Sequence, residues 1–154
     1  MDQQFCLDTG VFINSWVKHY PPDLFPSVWK CIGQLCDDTC AIIPRPVYEE
    51  VKLGGDELFD WLKQHKSMVH EPDAEVLKAL KSIMASHAKL AKEKGKRSAA
   101  DAWVIAHAQV ANAIVVTEER EGSVKTPKIP DVCKALGIPY MNTVELLRSR
   151  GFRS

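Results

Sequence analysis

Apolar and polar positions follow two alternating patterns along the chain. Short apolar runs, typical of buried strands, are separated by segments whose apolar residues recur every three or four positions, as in amphipathic helices. The predicted strands cover 5–7, 41–44, 68–70, 113–117 and 138–141. The predicted helices cover 11–17, 23–35, 47–53, 56–62, 73–90, 98–111, 130–136 and 142–149. This alternation predicts an α/β fold with a mainly parallel central sheet and helices on both of its faces.

Length and composition are those of an ordinary globular domain. The chain has 154 residues, of which 45% are hydrophobic and 26% are charged, so we expect a single domain spanning 1–154. No apolar run approaches the roughly 18–20 residues of a membrane span. Segment 1–4 lacks the basic residues that open a signal peptide. We therefore expect a cytoplasmic protein that does not associate with a membrane.

Charge is unevenly distributed along the chain, although the net charge is zero. Residues 1–77 contain 13 acidic and 6 basic side chains, whereas residues 78–154 contain 7 and 14. Folding either interleaves the two halves and cancels the field, or it leaves an acidic region beside a basic one. The second arrangement would suit a polyanionic ligand, and the charge pattern alone does not decide between the two.

Carboxylates directly follow two of the predicted strands. Asp8 comes after the first strand, and Glu118 and Glu119 come after the strand at 113–117. In open parallel sheets, ligands bind outside the carboxyl ends of the strands, and Mg²⁺ prefers oxygen ligands. These positions therefore indicate a site for a hard divalent cation. Asp8 could instead be a turn residue bonded to its own backbone, and the glutamates could lie in a solvated loop.

Further acidic residues stand at predicted helix starts. Asp101 has apolar neighbours three, four and seven residues later, and an ionised carboxylate there is costly unless it is paired or bound to a metal. Segment 98–101 also has the spacing of a capping box, which alone could account for the acid. Glu49 and Glu50 lie near the start of the helix that follows the second strand, where acids favour the helix dipole. Metal binding and capping therefore both remain open.

Taken together, these acidic segments resemble the motifs of PIN-domain ribonucleases, the fold of VapC-type toxins of toxin–antitoxin systems. Segment 7–13, LDTGVFI, resembles the opening strand and its first acid, Asp8, although the family more often has Asn where Gly10 stands. Segment 47–51, VYEEV, is similar to the second motif, in which the acid precedes an apolar residue. That motif points to Glu50 rather than Glu49.

The other two motifs lie in the second half of the chain. Segment 98–106, SAADAWVIA, resembles the third motif, an Asp that opens an alanine-rich helix, here Asp101. Segment 115–119, VVTEE, resembles the fourth motif, Thr-x-Asp, with Glu119 in place of the usual Asp. Further segments resemble a PIN-like subfamily of mostly uncharacterised members, at 20–29, 54–61 and 128–133. The resemblance therefore covers nearly the whole chain.

The resemblance implies a three-layer α/β/α PIN-like domain that cleaves RNA phosphodiester bonds with Mg²⁺ or Mn²⁺. It implies that Asp8 and Asp101 are the principal metal ligands. Glu50 and Glu119 would be direct or water-mediated ligands. It also implies RNA as the substrate, and a toxin that has an antitoxin protein as its partner; a homodimer is left open.

A basic stretch at 89–97 is a candidate for contact with the RNA backbone. Its proposed RNA-binding residues are Lys94, Lys96 and Arg97, although such residues also suit a solvated helix end. The main alternative function is a non-catalytic PIN-like module that binds RNA or protein. A haloacid-dehalogenase phosphatase would need a second Asp at position 10, where Gly10 stands, and the phosphate-binding motif of P-loop NTPases does not occur.

Overall fold

The central sheet consists of five parallel strands. The computed structural model describes residues 2–54, 56–88 and 100–153. Within these ranges the strands are β1 (Phe5–Leu7), β2 (Ala41–Pro44), β3 (Val69–His70), β4 (Ile114–Val116) and β5 (Tyr140–Met141). Their order is β3-β2-β1-β4-β5, and each neighbouring pair is parallel. The predicted α/β fold with a parallel sheet is confirmed.

Helices connect the strands. They are α1 (Thr9–Asn14), α2 (Pro26–Asp37), α3 (Arg45–Gly54), α4 (Glu57–Lys63), α5 (Ala74–Ser86), α6 (Asp101–Ala111), α7 (Ile129–Leu136) and α8 (Thr143–Ser149). A π-helical segment, Ser15–His19, continues α1, and a 3-10 turn, Lys66–Met68, leads into β3. None of the helices in the described ranges has the length and apolar character needed to cross a membrane.

Several helix starts are explained by polar caps. The side chain of Asp56 accepts a hydrogen bond from the Phe59 N–H at 3.4 Å. The side chain of Asp73 accepts one from the Val76 N–H at 2.9 Å. Such contacts satisfy backbone donors that the first turn of a helix leaves unpaired. The predicted starts of α4 and α5 are therefore set by local sequence.

Other boundaries differ from the predictions. α2 begins at Pro26 rather than at 23, because the Leu24 and Phe25 N–H groups both donate to the Pro21 carbonyl and close a turn first. Pro26 then occupies the first turn of the helix, where a missing N–H costs nothing. α5 ends at Ser86. The candidate RNA-binding residues Lys94, Lys96 and Arg97 lie outside the described residues.

The sheet brings the ends of its strands to one edge. β1, β2 and β4 are almost wholly buried, as expected for parallel strands covered by helices on both faces. Since all strands run in the same direction, the residues that follow them meet at the same edge of the sheet. Those residues are Asp8, Arg45, Glu71, Thr117 and Asn142. This carboxyl edge is where a parallel sheet offers a ligand site.

Candidate functional site

Asp8 is a buried carboxyl at the carboxyl end of β1. Its Oδ1 accepts a hydrogen bond from the Thr9 N–H at 2.8 Å, and this contact caps α1. Its Oδ2 accepts a hydrogen bond from the Thr117 hydroxyl at 3.0 Å. Burial, with the charges of Asp101 and Glu119, raises the pKa of Asp8 to about 7. Asp8 therefore caps α1 through the local backbone, as expected of a turn residue. It also lies close enough to other negative charges for them to raise its pKa.

Asp101 is the second buried carboxyl of the site. It is the first residue of α6, and Ala100 before it makes no side-chain capping bond. Its charge acts on Asp8, so α6 brings its N-terminus to the carboxyl edge of the sheet. The capping box that Ser98 would form with Asp101 lies outside the described residues.

Glu118 and Glu119 are adjacent in sequence and point to different partners. Glu118 Oε2 accepts hydrogen bonds from the Thr143 N–H at 2.9 Å and the Thr143 hydroxyl at 2.7 Å. Glu118 thereby anchors the start of α8. Glu119 Oε1 accepts from the Ile129 N–H, the first of α7, at 3.0 Å. Of these two glutamates, Glu119 is the one whose charge raises the pKa of Asp8.

Glu49 and Glu50 also separate. Glu49 forms an ion pair with Arg45, with Nε and Oε1 2.8 Å apart. Glu50 Oε1 accepts a hydrogen bond from the Thr9 hydroxyl at 2.6 Å. Because Thr9 follows Asp8 directly, this contact connects α3 with the end of β1. Glu50, and not Glu49, is therefore hydrogen-bonded to the residue that follows Asp8.

Two threonines join Asp8 to Glu50 and to the backbone of Glu119 in one hydrogen-bond network. Thr9 donates its N–H to Asp8 and its hydroxyl to Glu50. Thr117, which is buried, donates its hydroxyl to Asp8 and accepts the N–H of Glu119 at 3.1 Å. Sequence reasoning assigned neither threonine a role. Both threonines stand next to acids of the motifs. Their hydroxyl groups, however, donate to acids that are distant in sequence: Glu50 lies 41 residues from Thr9, and Asp8 lies 109 residues from Thr117.

The donor set of this network consists of oxygen atoms. Carboxylate oxygens suit hard cations such as Mg²⁺ and Mn²⁺. Within the ranges that the structure describes, no group of three or more His, Cys, Asp or Glu side chains is arranged to hold a metal ion. The chemistry of the donors nevertheless fits such a cation.

Comparisons with known proteins bear on the fold. A family described as "Domain of unknown function (DUF4411)" matches residues 5–154. No curated protein sequence matches the chain. Among solved structures, VapBC2 from Rickettsia felis, bound to a DNA fragment from its promoter, matches with a TM-score of 0.60 and 15% identity. That match covers 91% of this chain and 98% of the other.

A second solved structure gives the same result. VapBC-1 from nontypeable Haemophilus influenzae matches with a TM-score of 0.57 and 13% identity. It covers 92% of this chain and 99% of the other. The matching chains are VapC toxins with the PIN fold. The resemblance to that fold is therefore confirmed.

Proposed function

We propose that this chain, which belongs to the DUF4411 family, is a divalent-metal-dependent endoribonuclease that hydrolyses RNA phosphodiester bonds. The observation that carries the proposal is the hydrogen-bond network in which Thr9 and Thr117 connect Asp8 with Glu50 and Glu119. Burial and the charges of Asp101 and Glu119 raise the pKa of Asp8 there to about 7. Carboxylates that disfavour each other's ionisation are a common feature of sites that bind a cation or transfer a proton. The VapC-like fold supports nuclease chemistry as the use of this site.

Asp8 and Asp101 would be the principal ligands of Mg²⁺ or Mn²⁺. Glu50 and Glu119 would bind the metal directly or through water. A cation bound there supplies positive charge that stabilises a phosphoryl transition state and lowers the pKa of water. Thr9 orients two of these carboxylates, since it donates to Asp8 and to Glu50.

A proton accompanies metal binding in this proposal. With a pKa of about 7, the Asp8 carboxyl is about half protonated at neutral pH. A cation requires the ionised form, so binding releases that proton. Metal affinity should therefore increase as the pH rises through 7. The same group then holds no proton during the reaction, which leaves Asp8 as a ligand rather than a general acid.

The biological role that we propose is that of a toxin with a protein antitoxin. The support is the likeness to chains found in VapBC complexes. The second candidate is a non-catalytic module that binds RNA or protein. It is favoured by one observation, namely that no three acids in the described ranges are arranged to hold a metal ion.

Nuclease assays on matched variants test the proposal. The purified protein is incubated with labelled single-stranded RNA and millimolar Mg²⁺ or Mn²⁺, and cleavage is followed on gels. Asp101→Asn removes a ligand charge and keeps the side-chain shape, so cleavage should fall by at least the roughly 10–100-fold typical of changes around metal sites. Glu118→Gln is the matched control, since it removes an equal charge from the neighbouring α8 anchor and should leave cleavage near the wild-type rate.

Metal binding is measured separately by thermal unfolding. Mg²⁺ or Mn²⁺ should raise the Tm of the wild type by mass action on the folded state, and Asp8→Asn should reduce that shift. A folded Asp101→Asn protein with full cleavage activity would contradict its assigned role. Wild-type protein that binds RNA, shows no metal-dependent Tm shift and cleaves nothing would establish the binding module instead.

A further inference from the structure

The loop between β4 and α7, residues 120–128, presents cations at the same sheet edge as the carboxylates. Arg120 and Lys125 are exposed, and Lys128 is half-buried. Across the described ranges, no ion pair involves any of these three side chains. The loop's own acid, Glu121, is already paired with Lys134 and accepts a hydrogen bond from the Tyr140 hydroxyl. The positive charge of the loop is therefore available to a ligand.

The loop has a defined shape. Asp131 Oδ2 accepts hydrogen bonds from the Gly122 N–H and the Lys128 N–H, both at 2.7 Å. Between these two points, Ser123 Oγ accepts a hydrogen bond from the Thr126 N–H at 3.1 Å. A Cβ on Gly122 would overlap the Thr126 carbonyl oxygen, so the turn requires glycine there. A preformed loop binds a ligand without first losing conformational entropy.

The loop begins and ends beside the Glu119 carboxylate. Arg120 follows Glu119 in the chain, and Lys128 precedes Ile129, whose N–H donates to Glu119 Oε1 at 3.0 Å. The backbone of Lys128 therefore adjoins a carboxylate of the proposed metal site. A phosphate held by the loop would be next to the bond that the site cleaves.

The opposite flank of the site has the opposite charge. Arg45, after β2, is bound by two carboxylates, with Nε 2.8 Å from Glu49 and Nη1 3.3 Å from Glu71. Residues 70–75 contain three acids and no Lys or Arg. An RNA backbone on this side would meet net negative charge, which costs free energy at close range.

We propose that the phosphate backbone of single-stranded RNA passes over the β4–α7 loop, with Lys125 and Lys128 as phosphate contacts, and avoids the β2–β3 flank. This inference rests on the proposed nuclease function for the position of the scissile bond. The inference specifies the side of the site from which the RNA strand approaches, and it names residues that contact the phosphates of that strand. The preformed loop and the charge difference between the two flanks are the observations that support it.

Salt-dependent RNA binding tests the inference. Fluorescence anisotropy with a short labelled oligouridylate in EDTA gives Kd over a range of NaCl concentrations, without cleavage. Lys125→Gln/Lys128→Gln keeps both side chains polar and of similar size and removes two charges. The slope of log K against log salt should fall in magnitude by about 1.4, since each single-strand phosphate contact contributes about 0.7. Near 0.1 M salt, affinity should fall on the order of tenfold.

The matched control is Lys78→Gln/Lys81→Gln, which removes the same charge from exposed positions on α5. It should change the slope and the affinity little. An unchanged slope in the loop variant, or an equal loss in the control, would overturn the inference. Wild-type protein that binds no oligouridylate at low salt would overturn it as well.

Cleavage of the same RNA, measured separately with Mn²⁺, reports on the proposed function. If the wild type cleaves RNA and the loop variant binds RNA like the wild type, only the proposed role of the loop is contradicted. If the protein binds RNA through the loop and does not cleave it, only the proposed nuclease function is contradicted. The two proposals can therefore fail independently.

Discussion

The carboxyl edge and the aromatic cluster each contain a buried residue with a polar group, Asp8 and Trp29, and the surrounding protein treats these two groups in opposite ways. The aromatic cluster comprises Trp16, Trp29, Trp61 and His65. Trp29 stands edge-on to Trp16 and Trp61, with ring centroids 4.8 and 5.0 Å apart. Its N–H donates to the Tyr20 carbonyl at 2.8 Å. Each ring thus gains apolar contact, and the buried N–H has a partner.

The carboxyl edge contains a buried carboxyl, Asp8, whose ionisation the surrounding protein disfavours. Asp8 accepts two hydrogen bonds, which by themselves lower its pKa, yet burial and like charge outweigh them. Trp29 therefore stabilises the fold, whereas ionised Asp8 weakens it in the absence of a ligand. Such unfavourable arrangements persist at functional sites, where other contacts offset them.

The largest expected effect is on the aromatic cluster. Trp29→Ala removes a buried ring and leaves a cavity, so the free energy of unfolding should fall by about 3–5 kcal/mol. Denaturant titration followed by circular dichroism measures it. Leu53→Ala, at a position 88% exposed, should change stability by less than about 0.5 kcal/mol. Equal losses in the two variants would show that the cluster is not a principal source of stability.

Removing the Asp8 charge should have the opposite effect. An unfolded Asp ionises near 3.8, whereas folded Asp8 ionises near 7. Between these values the folded state holds a proton that the unfolded state has lost, so stability falls as the pH rises through this window. Asp8→Asn has no carboxyl at this position and should not lose stability in this way as the pH rises. Above pH 7 in EDTA it should be more stable than the wild type by at most about 4 kcal/mol.

The control for Asp8→Asn is the same measurement near pH 4. There the wild-type carboxyl is protonated in the folded protein, and the two proteins should differ little. A variant that is less stable than the wild type at every pH would show that the capping bond to Thr9 outweighs the charge.

A second buried group, His107, should act on stability in the opposite direction over much of the same pH range. Burial and the nearby His70 lower the pKa of His107 from 6.5 to about 4, against a smaller opposing effect of Asp73. Its Nε2 is buried and has no hydrogen-bond partner in the described structure. As the pH falls from 6.5 to 4, His107 binds a proton in the unfolded state and not in the folded state. The free energy of unfolding therefore decreases.

His107→Leu should remove this loss, so the variant should gain stability relative to the wild type as the pH falls from 6.5 to 4. The difference between the two profiles should be at most about 3 kcal/mol. Parallel profiles for wild type and variant between pH 6.5 and 4 would exclude His107 as the titrating group.

The smallest effect distinguishes the two adjacent glutamates. Glu118→Ala removes the acceptor for the Thr143 N–H and hydroxyl at the start of α8. Loss of such a cap should cost about 1 kcal/mol. Cleavage and the metal-dependent Tm shift should stay unchanged, since Glu118 faces α8. A lost Tm shift would assign Glu118 to the metal site.

Much of the fold was predictable because its determinants are local. Buried strands between amphipathic helices require a layered sheet, and Asp56 and Asp73 cap helices within three residues of themselves. Acids directly after buried strands were also predictable as site candidates, because a parallel sheet gathers such positions at one edge. The metal and RNA roles of these residues remain predictions.

By itself, the sequence determined the alternation of strands and helices and the candidate acids. The motif resemblance singled out Glu50 and Glu119, and only the tertiary structure decided which partner each acid contacts. Glu49 pairs with Arg45 and Glu50 accepts from Thr9, while Glu118 accepts from Thr143 and Glu119 from the Ile129 N–H. The physical reason is that helix caps and apolar periodicity act over a few residues. The partners that orient a carboxylate come from strands and helices far away in the chain, which only packing brings together.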